Sequence, residues 1–263
     1  MEIIEGPNRR LRRPWVVYAL MAFCTALILA NWETLDSIAV LQGYRPEDPN
    51  FERLFSSIFF HTGVVWWVIN MFGLYTFGDN VEDVIGHGYF LFLFLFLGLI
   101  GNLGYQLVHL DPHLPSVGPA AAISGIIVIY LILFPNVKSQ VTFGAEEESV
   151  TIPMPMGWAL PIWLALQLGL ALFLESGHVA TSPISAHAAS MIAGTILGIY
   201  VKKRGMLQDH RLRLLKNRSH KRMVICPACY YETPAPKYGR HKCDHCSTEF
   251  YMDSSGIRIL IQE

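Results

Sequence analysis

The sequence predicts an all-α polytopic membrane protein of six transmembrane helices, followed by a small β domain stapled by metal. Three observations carry that expectation. Of 263 residues, 52% are hydrophobic and only 16% charged, and the mean hydropathy is +0.35, which leaves too little polar surface for an ordinary water-soluble domain. Apolar runs of membrane-spanning length recur along the chain. Four of the five cysteines form two Cys-x-x-Cys pairs beyond the last of these runs.

A bilayer core takes about 20 apolar residues of helix, and such runs occupy residues 14–32, 54–77, 88–108, 117–134, 156–174 and 183–201. The first run has no small-residue cleavage pattern at its end, so it reads as a retained helix and not a signal peptide. Its lone Cys24 reads as a small buried apolar residue. The net charge of -1 hides an asymmetry: Arg9, Arg10, Arg12 and Arg13 precede the first run, and Lys202, Lys203 and Arg204 follow the last. Basic flanks mark the cytoplasmic side, and six crossings put both termini there. The connection 110–116 and the turn 177–182 then lie outside, with the long loop 33–53, which has room for an interfacial helix. The Pro-bounded segment 135–155 with Glu146, Glu147 and Glu148 lies inside; acidic residues weigh little in orientation. The resulting organisation is a basic N-terminus (1–13), a membrane domain (14–201), a basic linker (202–222) and a C-terminal domain (223–263).

Polar residues within spans are functional candidates, because each costs free energy in lipid unless it faces protein or water. They are His61, Asn70, Asn102, Gln106, Ser124, Gln167, Ser185, His187 and Ser190. Interhelical hydrogen bonding accounts for Asn102, Gln106 and Gln167. The spans contain no paired charges and no internal repeat is visible, which argues against a transporter or channel.

The stretch from Arg53 to His61, and Asn70-Met-Phe-Gly-Leu-Tyr-Thr-Phe-Gly-Asp-Asn-Val-Glu-Asp-Val-Ile-Gly86 after it, resemble the second span and its exit in the rhomboid family of intramembrane serine proteases. Phe77, Gly78, Val81, Glu82 and Gly86 are the most specific part, and Ala186-His187 in the last span supports the match. The resemblance covers residues 14–201 and implies the six-transmembrane-helix rhomboid fold. It also implies a serine in a G-x-S-G motif opening the fourth span, a histidine base on the sixth, and a histidine and an asparagine on the second that help hold the oxyanion. A hydroxyl is a weak nucleophile without an adjacent base, and the tetrahedral intermediate needs aimed donors.

His187 falls at the base position, Asn70 at the asparagine donor and His61 at the histidine that opens the motif. The second histidine, expected five residues after His61, is replaced by Trp66. The nucleophile motif V-G-x-S-G-A-I-x-G becomes Val117-Gly118-Pro119-Ala120-Ala121-Ala122-Ile123-Ser124-Gly125. Gly118, Ala122, Ile123 and Gly125 hold the register, so Ala120 occupies the nucleophile position and can attack nothing. Pro119 suits the first turn of a helix, where its missing N–H would be unsatisfied anyway. Ser124 is the rescue candidate, in a degenerate motif displaced by four residues. That displacement is about 6 Å of rise with little rotation, which predicts that Ser124 lies a turn too deep for His187 unless the sixth span shifts as well. The other reading of His187 is a core histidine bonded to Ser124 or to a backbone carbonyl.

Residues 202–222 carry nine Lys or Arg and one acid. Such a segment attracts anionic lipid at about 1 kcal/mol per charge near the surface; nucleic acid is a lesser option. A short helix is expected near 210–217. Cys226-Pro-Ala-Cys229 and Cys243-Asp-His-Cys246 are separated by thirteen residues, the pattern of a four-thiolate zinc ribbon. A reducing cytoplasm disfavours disulfides, and about 40 residues bury too little core without a staple, so the Zn2+ is expected to be structural. Phe250, Tyr251 and residues 257–261 alternate like strands closing the ribbon.

The functional expectation is a rhomboid-like pseudoprotease that binds transmembrane helices of client proteins without cutting them, with the ribbon recruiting a cytoplasmic partner. The alternative is an active intramembrane serine endopeptidase using a displaced Ser124/His187 dyad.

Overall fold

A computed structural model of the chain describes residues 2–5, 11–108, 114–135, 137–143, 150–174, 183–210, 223–230, 232–235, 238–253 and 256–259. The chain divides into two compact units, Met1–Leu207 and Gln208–Glu263, each with its own hydrophobic core.

In the first unit the helices are α1 (Trp15–Ala30), α2 (Leu35–Gln42), α3 (Phe51–Ser56), α4 (Val64–Gly73), α5 (Asp79–Ile85), α6 (His87–Leu107), α7 (Ala120–Leu133), α8 (Ala159–Leu174) and α9 (Ile184–Lys203). Three helical stretches, His87–Leu107, Met156–Phe173 and Ile184–Lys203, are long and apolar enough to cross a bilayer; Trp15–Ala30 and Ala120–Leu133 are apolar but shorter. The long first loop does hold a helix, α2.

The span expected over 54–77 is drawn differently. Asn50 caps the short α3, its side chain accepting from Glu52 N at 2.8 Å and Arg53 N at 3.3 Å, and residues 57–63 are not helical. Helix resumes at Val64 after the extended Gly63 and runs through a π-helical turn, Leu74–Gly78, into α5. An unbroken apolar run cannot show where a chain leaves one helix and enters the next, because the break is made by a cap and a turn.

The helical stretch ends at two buried carboxylates. Glu82 accepts from Val16 N at 3.0 Å and Val17 N at 2.9 Å, and its Oε1 lies 2.5 Å from His87 Nδ1. It thereby satisfies two of the N–H groups that the first turn of α1 leaves orphaned, where a negative charge also meets the helix dipole favourably. Asp83 accepts from Leu11 N and Arg12 N, each at 2.9 Å. Gly86, with φ +89°, makes the corner into α6 that a side chain would strain.

The helix α7 is buried almost throughout, from Ala120 to Leu133. It crosses α9 at Gly125 and Gly194, where a Cβ on Gly194 would lie 2.5 Å from Gly125 O. On the α6 side Gly101 faces Ala121 and Ala186, and Gly104 faces Ala189. Small residues let backbones touch, which matters in lipid because apolar burial supplies no drive between helices there.

Segment 135–155, expected only as a polar connection, contains a hairpin of β2 (Lys138–Phe143) and β3 (Val150–Pro155). The N-terminal β1 (Glu2–Glu5) adds to it antiparallel, with Ile3 opposite Val141 and Val141 opposite Ile152. The β-branched residues Val141, Thr142, Val150, Thr151 and Ile152 favour this conformation. The chain's N-terminal end therefore meets the connection between α7 and α8.

The second unit pairs β4 (Met223–Ile225) with β5 (Glu232–Pro234), and β6 (Gly239–Lys242) with β7 (Glu249–Asp253) and β8 (Gly256–Ile259). Cys226, Ala235, Cys243, Phe250 and Met252 form its core. The helix expected near 210–217 lies outside the described residues except for His210, and residues 260 and 261 of the expected last strand also lie outside them.

Candidate functional site

Asn70 on α4, Ser124 on α7 and His187 on α9 are all buried. Ser124 Oγ lies 2.7 Å from His187 Nδ1. The expectation that one turn of rise keeps Ser124 out of reach of His187 does not hold: the α7–α9 crossing brings them into register. Ala120 is the first residue of α7 and is itself buried, behind an N-cap at Pro119.

Three groups surround the Ser124 hydroxyl: Trp163 Nε1 at 2.8 Å, Ala120 O at 3.1 Å and His187 Nδ1. A hydroxyl has one proton and two lone pairs, an indole N–H can only donate, and a carbonyl can only accept. All three contacts are satisfied together in one way alone. Trp163 fills one lone pair, Ser124 gives its proton to Ala120 O, and His187 donates from Nδ1 to the second lone pair. The tautomer is thus assigned by the network. It leaves His187 Nε2 as a bare lone pair, consistent with its burial without a partner. Nε2 is without a partner in either tautomer, so the assignment rests on the three groups around Ser124 Oγ alone. With the three contacts so assigned, no basic nitrogen faces the serine.

The backbone beside Ser124 is equally constrained. Ile123 N already bonds Pro119 O at 3.0 Å, so from Ile123 onward the N–H groups of α7 serve the helix. Ser124, one turn into the helix, has no free backbone donor beside it. Asn70 Oδ1 accepts from Gln167 Nε2 at 3.0 Å. Its Nδ2 lies 3.9 Å from the point where a Cβ on Gly118 would sit, at a residue whose φ of +108° favours glycine. The Asn70 amide therefore borders the turn that leads into Ala120. His61 is buried, with Nδ1 3.2 Å from Phe59 O and Nε2 without a partner. Trp66 is buried in the first turn of α4.

Asn102 bonds Leu54 O and Ser57 Oγ, each at 2.9 Å, and accepts from Ser116 Oγ at 3.4 Å. Gln106 bonds the Tyr44 hydroxyl. Ser190 Oγ is buried without a hydrogen-bond partner at the Gly125 crossing. The residue missed by sequence reasoning is Trp163. Its available signal was a tryptophan within an apolar span, whose N–H needs a partner once buried.

In the second unit Cys226, Cys229, Cys243 and Cys246 offer sulfurs that all lie within 4.8 Å of one another. Cys226–Cys246 and Cys229–Cys243 are 3.7 and 3.6 Å apart. Zinc–thiolate bonds of about 2.3 Å in a tetrahedron require sulfurs about 3.8 Å apart, so the set fits a tetrahedral ion. Both turns are built alike. Tyr230 N bonds Cys226 O at 2.9 Å and Ser247 N bonds Cys243 O at 3.0 Å, while Tyr230 and Ser247 take left-handed φ values of 59° and 60°. The Cys246 thiol is held down to about 6, first by the Thr248 hydroxyl 3.2 Å away, which favours the thiolate that a metal binds.

Compared with known families, residues 48–204 match the Rhomboid domain. Residues 223–259 match a domain of unknown function (DUF8512), which spans both cysteine pairs. No curated protein matches the chain.

Proposed function

This chain belongs to the rhomboid family, and from that premise we propose that it is a pseudoprotease, an integral membrane protein that binds transmembrane helices of client proteins and does not cut them. The observation that carries this reading is the state of the only hydroxyl bonded to His187 among the described residues. Ser124 is buried, accepts from Trp163 Nε1, and by the donor count at its oxygen also takes the Nδ1–H of the histidine that would have to deprotonate it. A general base must face its proton with a lone pair, and the three contacts so assigned leave none there. With Ala120 at the nucleophile position, the helix surfaces through which active members admit substrate are left to recognition alone.

In this reading all six apolar segments cross the bilayer and both termini are cytoplasmic. The basic flanks at Arg12, Arg13, Lys202 and Lys203 support that orientation. The strand pairing of the N-terminal end with the α7–α8 connection agrees, since an even number of crossings separates them. Cys226, Cys229, Cys243 and Cys246 hold a structural Zn2+, whose chemistry is to staple two turns that bury little core. The basic segment 202–222 engages anionic lipid, and the ribbon is the contact for a cytoplasmic protein.

Cleavage of a panel of helix-destabilised transmembrane substrates by the purified protein in lipid tests the central claim. The expected result is no product from the wild type or from Ser124→Ala, with helix binding retained on photocrosslinking. Product from the wild type that Ser124→Ala abolishes would establish the competing reading, a displaced Ser124/His187 protease.

A further inference from the structure

Where the chain enters α1, a surface cavity of about 400 Å³ is lined by Leu11, Arg12, Arg13, Pro14, Trp15 and Tyr18. Two cations and two aromatics meet there. Arg12 and Arg13 are exposed, and among the described residues neither forms an ion pair with a carboxylate. The acids beside them are otherwise engaged: Asp83 accepts from the Leu11 and Arg12 backbone, and Glu82 from Val16, Val17 and His87. The Arg12 guanidinium is folded against the α5–α6 corner, 2.8 Å from where a Cβ on Gly86 would sit. Arg13 lies over the Trp15 ring at 6.0 Å, and Trp15 stands edge-on to Tyr18 at 6.2 Å. Trp15 and Tyr18 are 57% and 37% exposed, a placement that suits the interfacial zone of a bilayer and not a protein core. Below them α1 is apolar to its end.

We propose that this cavity is a binding site for the phosphate of an anionic phospholipid, with Arg12 and Arg13 as the clamp and Trp15 and Tyr18 against the glycerol and upper acyl chains. Guanidinium forks match a phosphate's oxygens in a plane, and stacking on Trp15 holds one fork in place at little further entropic cost. Backbone bonds to Asp83 fix the segment that carries both arginines, so the clamp is anchored to the α5 end of the fold. A headgroup of net negative charge is preferred over a zwitterionic one, whose ammonium would meet the same two cations. The site is separate from Ser124 and His187, so the inference stands whether or not the protein cuts its clients.

The test uses the full-length protein in vesicles of equal parts phosphatidylcholine and phosphatidylglycerol. A photoreactive analogue of each lipid is compared, and its adducts are mapped by peptide mass spectrometry. The expected result is phosphatidylglycerol labelling at residues 11–18, lowered about fivefold per arginine in Arg12→Ala and Arg13→Ala. The pair Arg12→Lys and Arg13→Lys keeps the topology-setting charge but removes the fork, and still loses label; Trp15→Ala does so as well. Lys202→Ala with Lys203→Ala, the same loss of charge elsewhere, leaves labelling of residues 11–18 unchanged. Equal labelling by both lipids, or labelling indifferent to the Arg→Lys exchange, overturns the proposal. So does displacement of the lipid by inorganic phosphate alone, which would make the ligand a soluble anion.

Discussion

Trp163 Nε1 donates to Ser124 Oγ at 2.8 Å, and that contact makes the serine an acceptor before the histidine is considered. Its consequence is thermodynamic. Trp163→Phe removes one bond to a buried hydroxyl at a cost of about 1 kcal/mol. Ser124→Ala costs more, about 2 kcal/mol or above, because it strands both the Trp163 and the His187 N–H. Thermal unfolding in detergent should show that order. A serine kept for chemistry would show Ser124→Ala near neutral, and that result would sink the structural role.

Glu82 organises the other end of the fold by satisfying two N–H groups of α1 and pairing with His87. Glu82→Gln keeps the shape and removes the charge, so it should cost about 1.5–3 kcal/mol. Amide exchange at Val16 and Val17 should accelerate by more than at mid-helix positions such as Leu20. Unchanged protection there would show that water or another group caps α1.

The α7–α9 crossing sets the register that brings Ser124 to His187. A Cβ on Gly194 meets the backbone of Gly125 at 2.5 to 3.0 Å, and backbone cannot yield as a side chain can. Gly194→Ala should therefore destabilise by about 1–3 kcal/mol or more. Gly169 on α8 has nothing within 4 Å of an added Cβ, and Gly169→Ala should stabilise by about 0.5–1 kcal/mol. Paired melting curves check both signs.

Chelation should unfold residues 223–259 and leave the membrane unit folded, because each unit has its own core. Thr248→Ala removes the chief group holding the Cys246 thiol down near 6, so that thiol rises toward its ordinary value. A ligand with a higher pKa is reprotonated earlier as pH falls. Metal release on acidification, followed with a chromogenic chelator, should therefore begin at higher pH in the variant. Identical release profiles would mean that Thr248 has no hold on the bound state.

Much of this protein was legible in one dimension because its signals are identities at fixed spacing. Gly118, Ala122, Ile123 and Gly125 fix the register of the family motif that the chain resembles, in which Ala120 stands where a serine is expected, and no folding is needed to see that an alanine lacks an oxygen. The two Cys-x-x-Cys pairs are likewise local: each turn presents its sulfurs by its own geometry, and only their convergence required the strands. The boundary of the span at 54–77 was not legible, since hydropathy does not register the Asn50 cap or the extended Gly63 that interrupt an apolar run.

What only the tertiary structure decided is the meeting of residues far apart in the chain. Ser124, Trp163 and His187 lie on three helices, and their contact depends on how closely Gly125 and Gly194 let two backbones approach. A rise of 1.5 Å per residue along one helix fixes depth within that helix but not the height of its neighbour, so the expected one-turn gap carried no force once α9 was placed. The sequence by itself determined that Ala120 stands where the motif it resembles has a serine, and that four thiols come in two Cys-x-x-Cys pairs. The packing determined that Ser124 Oγ accepts from Trp163 beside His187, because a hydrogen bond's direction follows from all the partners a group has at once.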